Sequence, residues 1–391
     1  MHLPSPANPR KRNPDMTTNA AARYGFDPYL DWIAKEGLPV VEDYGIDLFK
    51  VETKMWARNE AKTAAVHLKG RGDFSNMFLY ELAPGKSTSP QRHLYEEVIY
   101  VLEGTGSTQI ELEDGTKRSF EWGPKALFAI PLNVKHRHFN GSGRERALLV
   151  STTDMPLVMN TFHNERFIFD NNFDFAERGG KESHYTGEGD LITVKPGNHM
   201  WETNFVPDLA AIELKTWGDR GAGGTNIMFV LADGTMHAHI SEMPVGTYKK
   251  GHRHGPGFHV MCVVGEGFSL LWHDGEKDYI RIDWKHGVVF PPAGQQFHQH
   301  FNTSPEPARY LATGTGGLRY PFSTENRRSL IGLKPGENGA VSTSLKDGGD
   351  QIEYVDQDPR IHRIWLTQMK KTGAPPRMDK WVPTPMDWAA E

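Results

Sequence analysis

The sequence predicts an all-β protein of two tandem small barrels with short flanking helices, and three observations carry that prediction. The chain has 391 residues, more than one ordinary domain needs. Its middle is a series of short alternating runs, among them NMFLYEL, EVIYVLEG, STQIELE, RALLVST, NIMFVLADG and HVMCVVGEG, broken by Gly, Pro and Asp-Gly turns. A whole block also recurs. Residues 97–140 can be laid on residues 259–302 without a gap, at an offset of 162.

In that alignment Val98 meets Val260, Val101 meets Val263, Ser107 meets Ser269, Trp122 meets Trp284 and Phe128 meets Phe290. His136-Arg-His138-Phe-Asn140 meets His298-Gln-His300-Phe-Asn302, and Cys262 takes the place of Tyr100. Four of the nine identities fall in this one block, which makes chance a poor explanation. A repeat of this length implies duplication of a small domain.

In chain order, residues 1–25 read as a tail, and 1–15 as a disordered or mis-called extension before Met16. A helical arm follows over 26–60. Asp27 can cap its helix, Pro28 occupies the first position and Gly37 stops it, with Tyr29, Leu30, Trp32 and Ile33 as the apolar face. The first barrel is expected over 61–155, an inter-barrel linker over 156–204 and the second barrel over 205–318. Asp114-Gly115, Asp233-Gly234 and Asp274-Gly275 supply hairpin turns. A C-terminal arm over 319–391 holds one helix, capped by Asp358 and closed by Gly373, with Ile361, Ile364, Trp365 and Met369 on one face.

Net charge is −5 and no basic stripe interleaves with aromatics, which argues against nucleic-acid binding. No apolar run is long enough to span a membrane and no apolar leader opens the chain. One cysteine, Cys262, excludes an internal disulfide framework and fits a reducing cytoplasm. It reads as a core residue rather than a reactive thiol. Histidine is distributed unevenly. Nine of eighteen lie between His237 and His300, which marks that stretch as a candidate metal site.

The motifs there resemble the cupin superfamily signature. In the second repeat it reads Gly246-TYKKG-His252-Arg-His254, then His259 where the family has glutamate, then Gly287, Pro292, His298 and Asn302. In the first it reads Gly85-KSTSP-Gln91-Arg-His93, then Glu97, Gly104, Pro131, His136 and Asn140, with Gln91 where the family has histidine. The resemblance covers about residues 60–155 and 205–318 and implies jelly-roll barrels, a bicupin.

Spacing supports a site independently, because histidines at i and i+2 on a strand share a face. His252, His254 and His298 are the expected ligands, the alternative being hydrogen-bonded barrel histidines. His259 is either a fourth ligand or a hydrogen-bonding support to the ligands. His300 shares the face of His298 and is a candidate for substrate contact or acid–base work, or else a packed polar residue. His237 and His239 line the interior or face outward. Arg309 is a candidate for a substrate carboxylate, with a surface salt bridge as the alternative. Gln91, His93, Glu97 and His136 form a possible second site, in a barrel that reads as degenerate and structural.

The family resemblance implies iron(II), with manganese, nickel or zinc also compatible with the donors, and no organic cofactor. Similarity to gentisate, salicylate and 1-hydroxy-2-naphthoate dioxygenases implies O₂-dependent cleavage of a small hydroxylated aromatic or enolisable carboxylate. In those enzymes the metal lies in the first barrel, whereas the fuller signature here is in the second. The stretch HRHGPGFHVMCVVGEGFSLLW also resembles bicupins labelled ethanolamine ammonia-lyase-activating protein. An O₂-independent lyase, decarboxylase, isomerase or hydrolase is the alternative, and a non-catalytic small-molecule binder a second. Apolar faces on the arms suggest a homo-oligomer, a dimer or tetramer.

Overall fold

The computed structural model describes residues 25–70, 74–195, 198–255, 258–317, 319–322 and 344–382. The tail expected over residues 1–15 lies outside the described residues.

Two β-barrels stand side by side. In the first, one sheet runs Val40–Asp43, Ala61–Leu68, Asn76–Leu82, Ala147–Thr153, Glu97–Glu103, Leu127–Ile130, Phe205–Val206. The facing sheet runs Lys135–Asn140, Gly106–Glu111, Lys117–Trp122. In the second, the order is Asp190–Lys195, Asn198–Thr203, Thr225–Leu231, Met236–Met243, Ala308–Thr315, His259–Val264, Val288–Phe290, Ile46–Asp47. It faces Ile280–Lys285, Glu266–Trp272, Phe297–Asn302, Gly251–His252 and Gln351–Ile352.

Strand alternation sorts each large sheet into two apolar faces. Ile99 and Val101 point into the first barrel, while Val98, Tyr100 and Leu102 point at its neighbour. Val260 and Cys262 point into the second barrel, while Met261 and Val263 meet the first. The strands between the barrels are therefore apolar on both faces, and each fully buried Leu, Ile or Val there contributes roughly 1.5–3 kcal/mol. Thr152 and Thr313, equivalent positions of the two repeats, meet across this interface with their hydroxyls 2.8 Å apart.

Each barrel is also completed by the chain leading into the other. Val40–Asp43 runs parallel to its own barrel's Ala61–Leu68, and then Ile46–Asp47 pairs with Val288–Phe290 of the other barrel. Likewise Asn198–Thr203 runs parallel to Thr225–Leu231, and Phe205–Val206 crosses to Leu127–Ile130. The stretch 156–204, expected as a linker, thus carries a hairpin belonging to the second barrel's sheet. The duplicated unit includes the arm.

The offset of the repeat is not constant. Thr108 accepts from Trp122 Nε1 and contacts His138 Nδ1, and Ser269 does the same with Trp284 and His300. Thr108, not Ser107, is thus the partner of Ser269, at an offset of 161. The pairs Val101↔Leu149 and Cys262↔Tyr310 show the same shift. Cys262 therefore matches Val101, and Met261 matches Tyr100. One extra residue between the Glu266–Trp272 and Ile280–Lys285 strands restores 162 from Trp284 onward.

The two helices expected from their caps both form, beside Met155–Phe162 and Glu165–Phe169. The Asp27 side chain accepts from Leu30 N over Pro28–Glu36, and Asp358 accepts from Arg360 N over Pro359–Thr372. Gly37 and Gly373 close them in the left-handed conformation. Leu30 is exposed rather than part of the first helix's packed face. Trp365 is fully buried against the second barrel, its Nε1 donating to Asn302 O at 3.3 Å.

Candidate metal centres

In the second barrel the ligand nitrogens of His252, His254 and His298 lie within 4.8 Å of one another. The strand pair His252↔His298 brings two of them face to face, with ring centroids 4.2 Å apart, and His254 lies 4.7 Å from His298. Each ring's Nδ1 is occupied by a backbone carbonyl: His252 by Lys250 O at 3.1 Å, His254 by Gly255 O at 2.9 Å, His298 by Gln296 O at 3.2 Å. A carbonyl only accepts, so each Nδ1 carries the proton and each Nε2 keeps a lone pair for a cation. Burial pushes all three pKa values down, that of His254 to about 4, so the rings are neutral near pH 7. The three side chains fit a divalent transition metal.

His300 is prepared for a different task. Ser269 Oγ accepts from Trp284 Nε1 at 2.9 Å, and its own proton is left for His300 Nδ1 at 2.8 Å. His300 is thereby the tautomer with Nε2–H, a donor rather than a ligand. Burial holds its pKa at about 3. The sequence gives no sign of this division of labour within H-x-H.

His259 does not join the cluster. Its strand neighbours Met261 and Val263 face the other barrel, and its cross-strand partner is Thr313 at the interface. The residue at the Glu97 position is Phe258, whose ring lies 4.6 Å from His254 and 5.0 Å from His237. The carboxylate has been replaced by an aromatic wall, not by a fourth imidazole. Arg309 is also displaced from its expected role. It bonds Glu242 Oε2 at 2.7 Å and the carbonyls of Leu209 and Ile212, so its guanidinium is occupied away from the histidines. His237 and His239 do line the interior, joined at 2.6 Å. Lys249 is fully buried beside Trp217 and Tyr310, and its place three residues before the first motif histidine is the only sign of it in the sequence.

The first barrel brings together His93, Glu97 and His136, again within 4.8 Å. His93 Nε2 is 3.4 Å and His136 Nε2 3.7 Å from Glu97 Oε2. Ser151 and Tyr80 donate to Glu97 Oε1 at 2.5 and 3.2 Å. Burial opposes the Glu97 charge, but the hydrogen bond from His93 and the charges of His93, His136 and His138 prevail and hold its pKa at about 2. Gln91 does not contribute: its amide is bound to Arg58 O and Ser89 Oγ. Tyr95 stacks on His93 at 3.7 Å, backed by Phe169 and Trp32. All three candidate ligands are buried, whereas His254 of the second barrel is partly exposed.

Residues 78–152, the bulk of the first barrel, match the cupin domain family. The second barrel repeats that architecture. The fold is that of a bicupin. The chain is 36% identical over 77 residues to a 5-aminosalicylate 1,2-dioxygenase of Comamonas sp., a match covering 20% of this chain and 19% of that protein. It also resembles oxalate decarboxylase structures from Bacillus subtilis (TM-score 0.46, 13% identity, 70% of this chain and 78% of that one) and Lactobacillus farciminis (0.47, 12%, 70% and 86%). Among the described residues, no helix is long and apolar enough to cross a membrane.

Proposed function

We propose that this bicupin is a metal-dependent dioxygenase that cleaves a carbon–carbon bond in a small hydroxylated aromatic or enolisable carboxylate. Its iron(II) is held by His252, His254 and His298. The observation that carries this reading is the donor set: three neutral imidazoles converge, and Phe258 stands where a carboxylate would reduce the charge. When bound, iron(II) supplies a Lewis acid with open positions for substrate and O₂. Neutral ligands leave the full dication to attract a chelating anion. The His300 Nε2–H donates to a substrate oxygen, and Phe258 with His237 walls off water. The short match to a dioxygenase named for an aminosalicylate supports the substrate class.

The first barrel is assigned a structural role, because Tyr95 covers its cluster and Glu97 already has partners. Oxygen uptake measured with iron-loaded protein and 5-aminosalicylate or salicylate tests the reading. Uptake matching substrate loss is expected. Turnover under argon, or equal activity with zinc, overturns it in favour of a Lewis-acid lyase.

A further inference from the structure

Lys249 takes no part in the metal centre, yet it is 1% exposed and its Nζ has no hydrogen-bond partner or ion pair among the described residues. Its ammonium lies 5.8 Å from the Trp217 ring and 6.0 Å from the Tyr310 ring. Tyr310 in turn lies 4.9 Å from His300, whose ring is 5.4 Å from His298. Lys249 is thus connected to the metal ligands through Tyr310 and His300 in turn, on the inward face of the second barrel. Asn226, on the inward row with Ser241 and Tyr310, has both amide atoms buried and without partners among the described residues.

Positive charge is concentrated here, although Asp219 and Asp350 act on Arg220 and Asp350 on His254. Arg220 adds a second positive charge that depresses the pKa values of Lys249, His239 and the three ligand histidines alike. It has no ion pair among the described residues, its NH1 reaching only Gln351 Oε1 at 3.4 Å. Glu242, whose charge Lys249 feels, is taken by Arg309 at 2.7 Å. Burial and Arg220 together bring the Lys249 pKa down to about 7. A buried ammonium with no counter-charge is strongly unfavourable, and it is retained where a ligand supplies that charge.

We propose that the inner face of the second barrel holds a carboxylate site: Lys249, in a field that Arg220 makes more positive, holds one anionic group of a substrate whose other end chelates the metal. The preferred substrate then carries a second anionic end beyond the chelating head that a salicylate also presents. This rests on the metal reading for the chelating end and on Lys249 for the other. Chelation alone selects for an α-hydroxy, α-oxo or ortho-hydroxy acid head. Lys249 adds selection for a second carboxylate.

The test uses cobalt(II)-loaded full-length protein, whose visible absorption reports chelation without turnover. Binding of 2-oxoglutarate and 2-oxoadipate is compared with that of 2-oxopentanoate and 2-oxohexanoate, which have the same head and length but no distal carboxylate. Wild-type protein is expected to bind at least one diacid tenfold or more tighter than its monoacid. Lys249→Met should bring that ratio to about one with cobalt stoichiometry and monoacid affinity unchanged, and Lys249→Arg should preserve it. No preference in wild-type protein, or a preference that survives Lys249→Met, overturns the carboxylate site. Failure of the metal reading shows differently, as wild-type protein that takes up no cobalt. In that event calorimetry of metal-free protein with glutarate decides: binding lost in Lys249→Met supports the site, and equal or absent binding overturns it.

Discussion

Ser269 decides what His300 can do. With its two neighbours it forms a relay in which Trp284 can only donate and the serine has one proton to pass on. His298, two residues away on the same strand, is oriented by the Gln296 carbonyl and so presents the opposite nitrogen chemistry. This difference is testable by separating metal content from rate. His298→Ala is expected to lose bound metal. Ser269→Ala is expected to keep stoichiometric metal while kcat falls about 10- to 100-fold, the usual cost of losing an orienting hydrogen bond. Metal analysis beside steady-state kinetics reads both, and loss of metal in Ser269→Ala would refute the tautomer assignment.

At the level of elements, the strand His259–Val264 determines the character of the site. Its alternation was legible in the sequence, as were the paired H-x-H-F-N blocks and both helix caps. What was not legible was the register. The strand-to-strand turn after Trp272 is one residue longer than its counterpart after Glu111, and an ungapped alignment hides this by shifting every upstream partner by one. Because the side-chain period is two, that slip moved His259 from the interface to the cavity and concealed Phe258. Arg309 was misplaced for a related reason: alternation puts it on the outward face with Glu242. Phe258→Glu should therefore recreate a three-histidine, one-carboxylate site. Tighter cobalt binding and an altered cobalt spectrum are expected, and unchanged values mean the side chain does not reach the metal. In the first barrel, His93→Ala removes the stack on Tyr95 and a partner of Glu97. It should lower Tm while leaving activity per bound second-barrel metal within about twofold. A large loss of kcat would assign chemistry to both barrels.

Across the whole molecule, the unusual number of buried neutral histidines ties stability to pH. His136 and His300 are held at about 3 and His138, His237 and His254 at about 4, in each case chiefly by burial. An unfolded histidine titrates near 6.5. Between about pH 6.5 and 4 the unfolded chain therefore takes up protons that the folded one refuses, and stability falls as pH falls through that window. Each such group removes up to ~3 kcal/mol over the window, at about 1.4 kcal/mol per pH unit. Glu97 acts in the same direction at lower pH. Its carboxylate, held near 2, stabilises the fold above its ordinary 4.5, and that contribution disappears as pH approaches 2. These groups act in the same direction, so the fold should weaken steadily as pH falls below 6.5. Bound metal sharpens the effect, because imidazoles that coordinate a cation must stay deprotonated. Thermal unfolding followed from pH 7.5 to 4 should show Tm falling steadily below 6.5, more steeply for the metal-loaded protein than for chelator-treated protein. A Tm that stays level between pH 7 and 4.5 would mean that the histidine interior opens to water, and the neutral ligand set at the second barrel would go with it.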